Sequence, residues 1–406
     1  MTTSRPVRAT AVLVASLLLW GVGTGPAAAD DIRTQQWALQ AYKAESDVWP
    51  ISRGDGVTVA VLDSGVFAAH QDLTGQVSAG GDFSGSHTDG RVDTVGHGTS
   101  MAGLIAGHGH GDQAGVMGLA PDAKILPVRI ALTADGDFGS TAEQSGFAEA
   151  LRYAVDHGAK VVNMSFGAGE LRSDAAAREA VSYAVSRDVV LVAATGNLGN
   201  IAGAPIEYPA AFPGVVAVGA IDRQGNIWAR SVCGPEITLV APGVDIRSTG
   251  SNASDDYRYA DGTSDATAYV SAIAALVRSK YPALSAGQVI RRMITTAAAP
   301  PDGSRVPNDR YGYGIASPSK ALAPNPGVDG GARENPLLGR VESQGAPSGQ
   351  GQGQGQVQVQ VPVAGVVVRG EGVSGWLYGV GGVVVVLVGL GGVLLVRRVR
   401  HGSSSY

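Results

Sequence analysis

The sequence predicts an α/β fold: a parallel β-sheet flanked by helices in three layers, followed by one C-terminal transmembrane helix. Three observations carry this. Apolar runs at 57–62, 124–130, 160–164, 189–194 and 215–220 are near-continuous rather than alternating, as strands covered on both faces are. Helical stretches fall between them, at 97–106, 141–157 and 173–186, and strands alternating with helices of that length imply parallel connections. Finally, 376–396 holds no charged residue and, at about 1.5 Å per residue, is long enough to cross one bilayer core.

In chain order, residues 1–29 read as a signal peptide: Arg5 and Arg8, an apolar run at 11–20 too short to span a membrane, then Ala27-Ala28-Ala29. Residues 30–56 form an N-terminal extension with a short helix near 36–45. The α/β body occupies 57–322, and 323–370 reads as a flexible Pro/Gly/Gln linker whose Gly-Gln repeats cannot build a core. The apolar span 376–396 is followed by a basic tail, 397–406, with Arg397, Arg398 and Arg400. Positive residues stay on the cytoplasmic side, so the body is expected outside, anchored by a single pass. The 406 residues, 44% hydrophobic, suffice for one large domain. A net charge of −5 offers no basic surface to nucleic acid. Cys233 is the single cysteine, which excludes an intramolecular disulfide; a buried, unreactive thiol is expected.

Three chemical residues fall at corresponding places in this pattern. Asp63 ends the first strand, His97 begins a helix, and Ser264 stands where the turn Asp261-Gly-Thr passes into an apolar helix that Pro282 stops. All three can meet beyond the carboxyl ends of parallel strands, where α/β folds put their sites. Serine needs an imidazole to take its proton, and the imidazole needs a carboxylate to hold its tautomer. A helix start beside Ser264 aims free N–H groups at an oxyanion, and Asn197, in Gly196-Asn197 after a strand, adds a side-chain amide. Taken singly, each also reads as an ordinary cap or turn residue.

Chain order separates these alternatives, because Asp, His, then Ser is the subtilisin order. The chain resembles the subtilisin-like serine proteases at Asp63-Ser-Gly, His97-Gly-Thr, Asn163-Met-Ser-Phe-Gly167, Gly196-Asn197, Ala241-Pro-Gly243, Gly262-Thr-Ser264 and Tyr311-Gly-Tyr-Gly314. The resemblance implies a subtilisin-like fold and peptidase activity for 57–322. It implies Asp63, His97 and Ser264 as the triad, with Asn197 in the oxyanion hole. Ser165, Phe166 and Gly167 would pair with a peptide substrate as an extended strand. Ala193, Ala194, Thr195 and Gly196 would line the primary specificity pocket. Signal, peptidase domain, linker, membrane span and basic tail together resemble the mycosins, membrane-anchored proteases of type VII secretion, whose membrane components become expected partners. The alternative role is a structural subunit stabilising such a secretion complex with little dependence on proteolysis.

The chain departs from the family pattern in two places near the site. Asp265-Ala-Thr-Ala268 stands where most subtilisins have Met-Ala-x-Pro, and Asp265 slows the reaction if it faces inward, or merely complements the helix dipole if it faces out. Ser100 stands where many have a second His. No cofactor is implied. His108-Gly-His110 lacks a third metal ligand, and a calcium site, common on loops of such folds, is not legible. Asp255-Asp256 reads as a solvated loop, and His70, His87 and His157 read as surface residues.

Overall fold

The structure is a computed structural model that describes residues 31–132, 141–199 and 204–340. Seven parallel strands form the central sheet: β1 (Thr58–Asp63), β2 (Gly81–Asp82), β3 (Lys124–Arg129), β4 (Val161–Met164), β5 (Val190–Ala194), β6 (Val216–Ile221) and β7 (Ile237–Pro242), in the order β2-β3-β1-β4-β5-β6-β7. A hairpin of β8 (Ile246–Thr249) and β9 (Tyr257–Ala260) stands apart from the sheet. The near-continuous apolar strands have the predicted cause. In β1, Val59 and Val61 enter one core while Ala60 and Leu62 enter the other, so both faces are covered.

The helices divide between those faces. Two short helices, α1 (Asp31–Gln35) and α2 (Trp37–Ala41), open the described chain; α3 (His97–Ala106) follows β2. On the opposite face lie α4 (Thr141–Asp156) and α5 (Ala175–Ser186), packed on each other and on the strands. The longest helix, α6 (Thr263–Lys280), is buried from Thr263 through Arg278 and crosses β4 to β7 on the α3 face. Its apolar residues surround the whole helix, which is why it lies inside. Three more follow: α7 (Ala286–Thr295), α8 (Pro318–Leu322) and α9 (Pro326–Asp329).

The segment before β1 belongs to the core. Gln36 is buried and forms two hydrogen bonds with Met117, donating to its carbonyl at 2.8 Å and accepting from its N–H at 2.9 Å. Trp37 and Val48 share a cluster with α3 and α6. The expected single helix at 36–45 is instead α2 plus a π-helical turn at Ala44–Val48.

The other end requires a correction. The linker was expected from 323, yet 323–340 is packed on the domain. Leu337 is buried, Asn335 donates to Gly214 O at 2.8 Å, and Arg340 donates to Glu236 O at 2.7 Å and Ala210 O at 2.8 Å. Pro and Gly composition says nothing of such long-range bonds to backbone carbonyls. Among the described residues, no helix is long and apolar enough to cross a membrane; 1–29, 376–396 and 397–406 lie outside them.

Candidate active site

The carboxyl ends of the central strands assemble the site. Strand β1 ends on Asp63, its neighbour β4 leads into Ser165, and β5 leads into Thr195-Gly196-Asn197. Asp63 is fully buried, and His97, the first residue of α3, is nearly so. The imidazole Nδ1 lies 2.8 Å from Asp63 Oδ1 and 2.9 Å from Oδ2. The Ser64 N–H donates to Asp63 Oδ1 at 2.8 Å and fixes the carboxylate in turn. Close approach depends on Gly98, where a Cβ would overlap Gly65 O and meet Asp63 Cβ at 3.0 Å.

A residue that sequence reading passed over holds this arrangement. Buried Asp93 accepts from Ser64 Oγ at 2.9 Å, Gly96 N at 2.8 Å, Thr99 N at 2.9 Å and Thr99 Oγ1 at 2.6 Å. It therefore ties the end of β1 to the first turn of α3. Asp93 lies four residues before His97 and outside the N-cap position, which Gly96 holds, so no local capping signal marks it.

Burial pulls the His97 pKa down, but the charge of Asp63 and its hydrogen bond outweigh that, so the net shift is upward. Its outer nitrogen, Nε2, is buried without a hydrogen-bond partner among the described residues. With its Nδ1–H directed at the Asp63 carboxylate, the neutral imidazole presents Nε2 as a proton acceptor.

Ser264 is the second residue of α6, 5% exposed, and its hydroxyl donates to Ser165 O at 2.8 Å. Ser165 Oγ donates back to Ser264 O at 3.0 Å. Asn163 and Ser271 continue the link between β4 and α6. Asn197 accepts from Thr263 N at 3.0 Å and Thr263 Oγ1 at 2.9 Å through Oδ1, leaving Nδ2 as its outward group. A Cβ placed on Gly262 would stand 3.5 Å from Ser264 N and 3.7 Å from Asn197 Nδ2, so the two donors flank one spot.

The expected substrate-binding segments lie on either side of Ser264. Ser165 bonds Ser264, whereas the Phe166 side chain turns into the core and meets Phe147 edge-on, with ring centroids 6.0 Å apart. Ala193 and Ala194 are buried, as is Thr195, and Gly196 has φ +107°, which the turn requires. Glu207, not singled out from sequence, fills the space over both walls: a Cβ at Gly167 would overlap its Oε2, and one at Gly196 would lie 2.9 Å from it.

The other histidines, Ser100 and Cys233 lie apart from this cluster. Among the described residues no group of three His, Cys, Asp or Glu side chains gathers to hold a metal. His108 bonds Thr74 O at 2.9 Å, and His110 bonds Asp72 at 2.6 Å. His70, read as a surface residue, is buried: its Nε2 pairs with Asp256 O at 2.9 Å, and its ring meets Tyr257 edge-on. Ser100 pairs with Ser248 inside the protein. Cys233 is half-buried, with burial pushing its thiol pKa up.

The sequence profile of the Subtilase family, Peptidase S8, matches residues 54–314. Subtilisin DY of Bacillus licheniformis is 38% identical over 266 residues, which cover 65% of this chain and 92% of that one. Among solved structures, the MycP3 protease from the type VII (ESX-3) secretion system is 32% identical with a TM-score of 0.61, covering 74% of this chain and 90% of that one. MycP1 from Mycobacterium smegmatis is 27% identical with a TM-score of 0.63, covering 74% and 87%.

Proposed function

The chain belongs to the subtilase family of serine endopeptidases, and we propose that it is a membrane-anchored, extracytoplasmic member associated with type VII secretion. The observation that carries the peptidase reading is the buried Asp63–His97 pair with a free Nε2, at the same sheet edge as Ser264 on the α6 N-terminus. In this reading Ser264 Oγ leaves Ser165 O, gives its proton to His97 Nε2 and attacks the carbonyl carbon of a peptide bond. Negative charge forms on the carbonyl oxygen and is met by Asn197 Nδ2 and the Ser264 N–H. The C–N bond breaks as His97 returns the proton to the leaving amine, and the acyl-enzyme is then hydrolysed by water, with His97 again the base. Triad bonds that are loose without substrate and tighten with it are ordinary.

The membrane and secretion parts rest on different support. The charge-free run 376–396 and the arginines after it favour an anchor with the C-terminus in the cytoplasm. The type VII association is carried over from MycP3 of the type VII (ESX-3) secretion system and MycP1 of the ESX-1 system. A fluorophosphonate probe on intact cells should label the wild type and not Ser264→Ala. External protease should release the labelled body by cutting between 341 and 370. An unlabelled wild type defeats the peptidase reading, and a body protected from external protease defeats the topology. Secretion that survives in Ser264→Ala but fails in a deletion favours the structural-subunit role.

A further inference from the structure

The residue after the candidate nucleophile is a carboxylate, and it is inside the protein. Asp265 is 2% exposed, and its Oδ1 has no hydrogen-bond partner among the described residues. The spot over Gly262 that lies 3.5 Å from Ser264 N and 3.7 Å from Asn197 Nδ2 is 3.4 Å from Asp265 Oδ2. The carboxylate therefore sits at the site itself and is not turned outward to complement the helix dipole. An unpaired buried carboxylate is costly and is not explained by stability.

A counter-charge stands on the neighbouring hairpin. Arg258, on β9, is 8% exposed, and its Nη1 would lie 3.4 Å from a Cβ on Gly96, the residue that caps the His97 helix. The β8–β9 hairpin is fastened to that helix by Thr249 Oγ1, which donates to Thr99 O at 2.7 Å. The charges acting on His97 are then Asp63 from β1, Arg258 from β9 and Asp265 from α6. Those facing Asp265 are Arg258, His97 and Asp261, with the Tyr269 phenol one turn along α6.

We propose that Asp265 and Arg258, two buried charges of opposite sign, together set the proton affinity of His97, and with it the acidity at which Ser264 becomes reactive. The inference rests on the triad reading above. The effect proposed for Asp265 runs through the imidazole, which makes it a positioning residue. The sign follows from Coulomb's law. An ionised Asp265 favours the imidazolium and holds the base protonated to higher pH, while Arg258 opposes both. Burial pushes the Asp265 pKa up to about 6, against Arg258 and His97, which pull it down, while Asp265 in turn favours the charged form of His97. Proton uptake by the two groups is therefore coupled.

The test uses the full chain in detergent, with Asp265→Asn and Arg258→Gln as separate variants. Two readouts are taken: the His97 imidazole titration by NMR, and the rate of fluorophosphonate labelling of Ser264 against pH. Asp265→Asn should lower the His97 pKa by roughly half a unit or more, about threefold in proton affinity, and shift the acid limb of labelling down with it. Arg258→Gln should move both upward. Asp265→Asn should then label faster than wild type on the acid side. An unchanged His97 titration in the two folded variants overturns the proposal. Absent labelling with a shifted titration would instead sink the triad reading and leave the charge coupling standing.

Discussion

The two halves of the site are built differently. On the base side, Asp63, Ser64, Asp93 and the first turn of α3 form a closed network in which each carboxylate accepts several bonds and His97 Nδ1 is fully held. On the nucleophile side, Ser264 bonds a backbone carbonyl of the neighbouring loop, Asn197 is held through Oδ1 by Thr263, and Asp265 Oδ1 has no hydrogen-bond partner among the described residues. The proposed base is thus held by a network of its own, whereas the proposed nucleophile is held through a backbone carbonyl. The fold invests its rigidity in the imidazole tautomer, because a wrong tautomer disables the base whatever else is correct.

The largest effect should come from the nucleophile. Ser264→Ala is expected to lower kcat by about 10⁶, a magnitude taken from subtilisin itself. Steady-state peptide hydrolysis measures it, and residual activity within tenfold of wild type would place the nucleophile elsewhere. The base side should respond less. Asp63→Asn keeps the shape but loses the charge that stabilises the imidazolium, so a loss of about 10⁴ is expected, by analogy with serine-protease triads generally. Equal losses in both variants would erase the difference between the halves.

Asn197→Ala comes next, with kcat lowered by about 10²–10³ and KM little changed, again the range seen for a subtilisin oxyanion donor. A change confined to KM would make Asn197 a substrate-binding residue instead. The smallest effect is on stability. The folded Asp265 holds its proton more tightly than the unfolded chain does, since burial raises its pKa from 3.8 to about 6. Its contribution is therefore intact below about pH 4 and is lost as pH rises through 6. Asp265→Asn should be more stable than wild type by about 2–3 kcal/mol at pH 8 and no more stable at pH 4, as read by thermal melts. Parallel melting curves at both pH values would mean that the carboxylate is solvated.

The triad candidates were legible because each is marked twice, once by its place at a strand end or helix start and once by the small residues around it, such as Gly98 and Gly262. Asp93 and Glu207 carry no comparable mark. Asp93 matters through donors gathered from the residue after β1, the turn before α3 and the first turn of α3, and Glu207 through two glycines that are neighbours only in space. His70 was misread for the same reason: its partners, Asp256 and Tyr257, are far along the chain. The segment 323–340 was misread because the bonds of Asn335 and Arg340 run to carbonyls more than a hundred residues away.

The sequence alone determined the layered α/β plan, since period and apolarity are local properties that the backbone converts directly into strands and helices. It also determined which residues could form a triad, since strand ends and helix starts are local too. What the tertiary structure decided is everything that depends on direction: that Asp265 faces inward, that Phe166 leaves the pocket for the core, that Ser264 rests on Ser165, and that Arg258 stands by the His97 helix. Side-chain direction and electrostatic environment are set by which segments meet, and parallel crossovers bring together segments separated by dozens of residues, at distances over which the sequence carries no local signal.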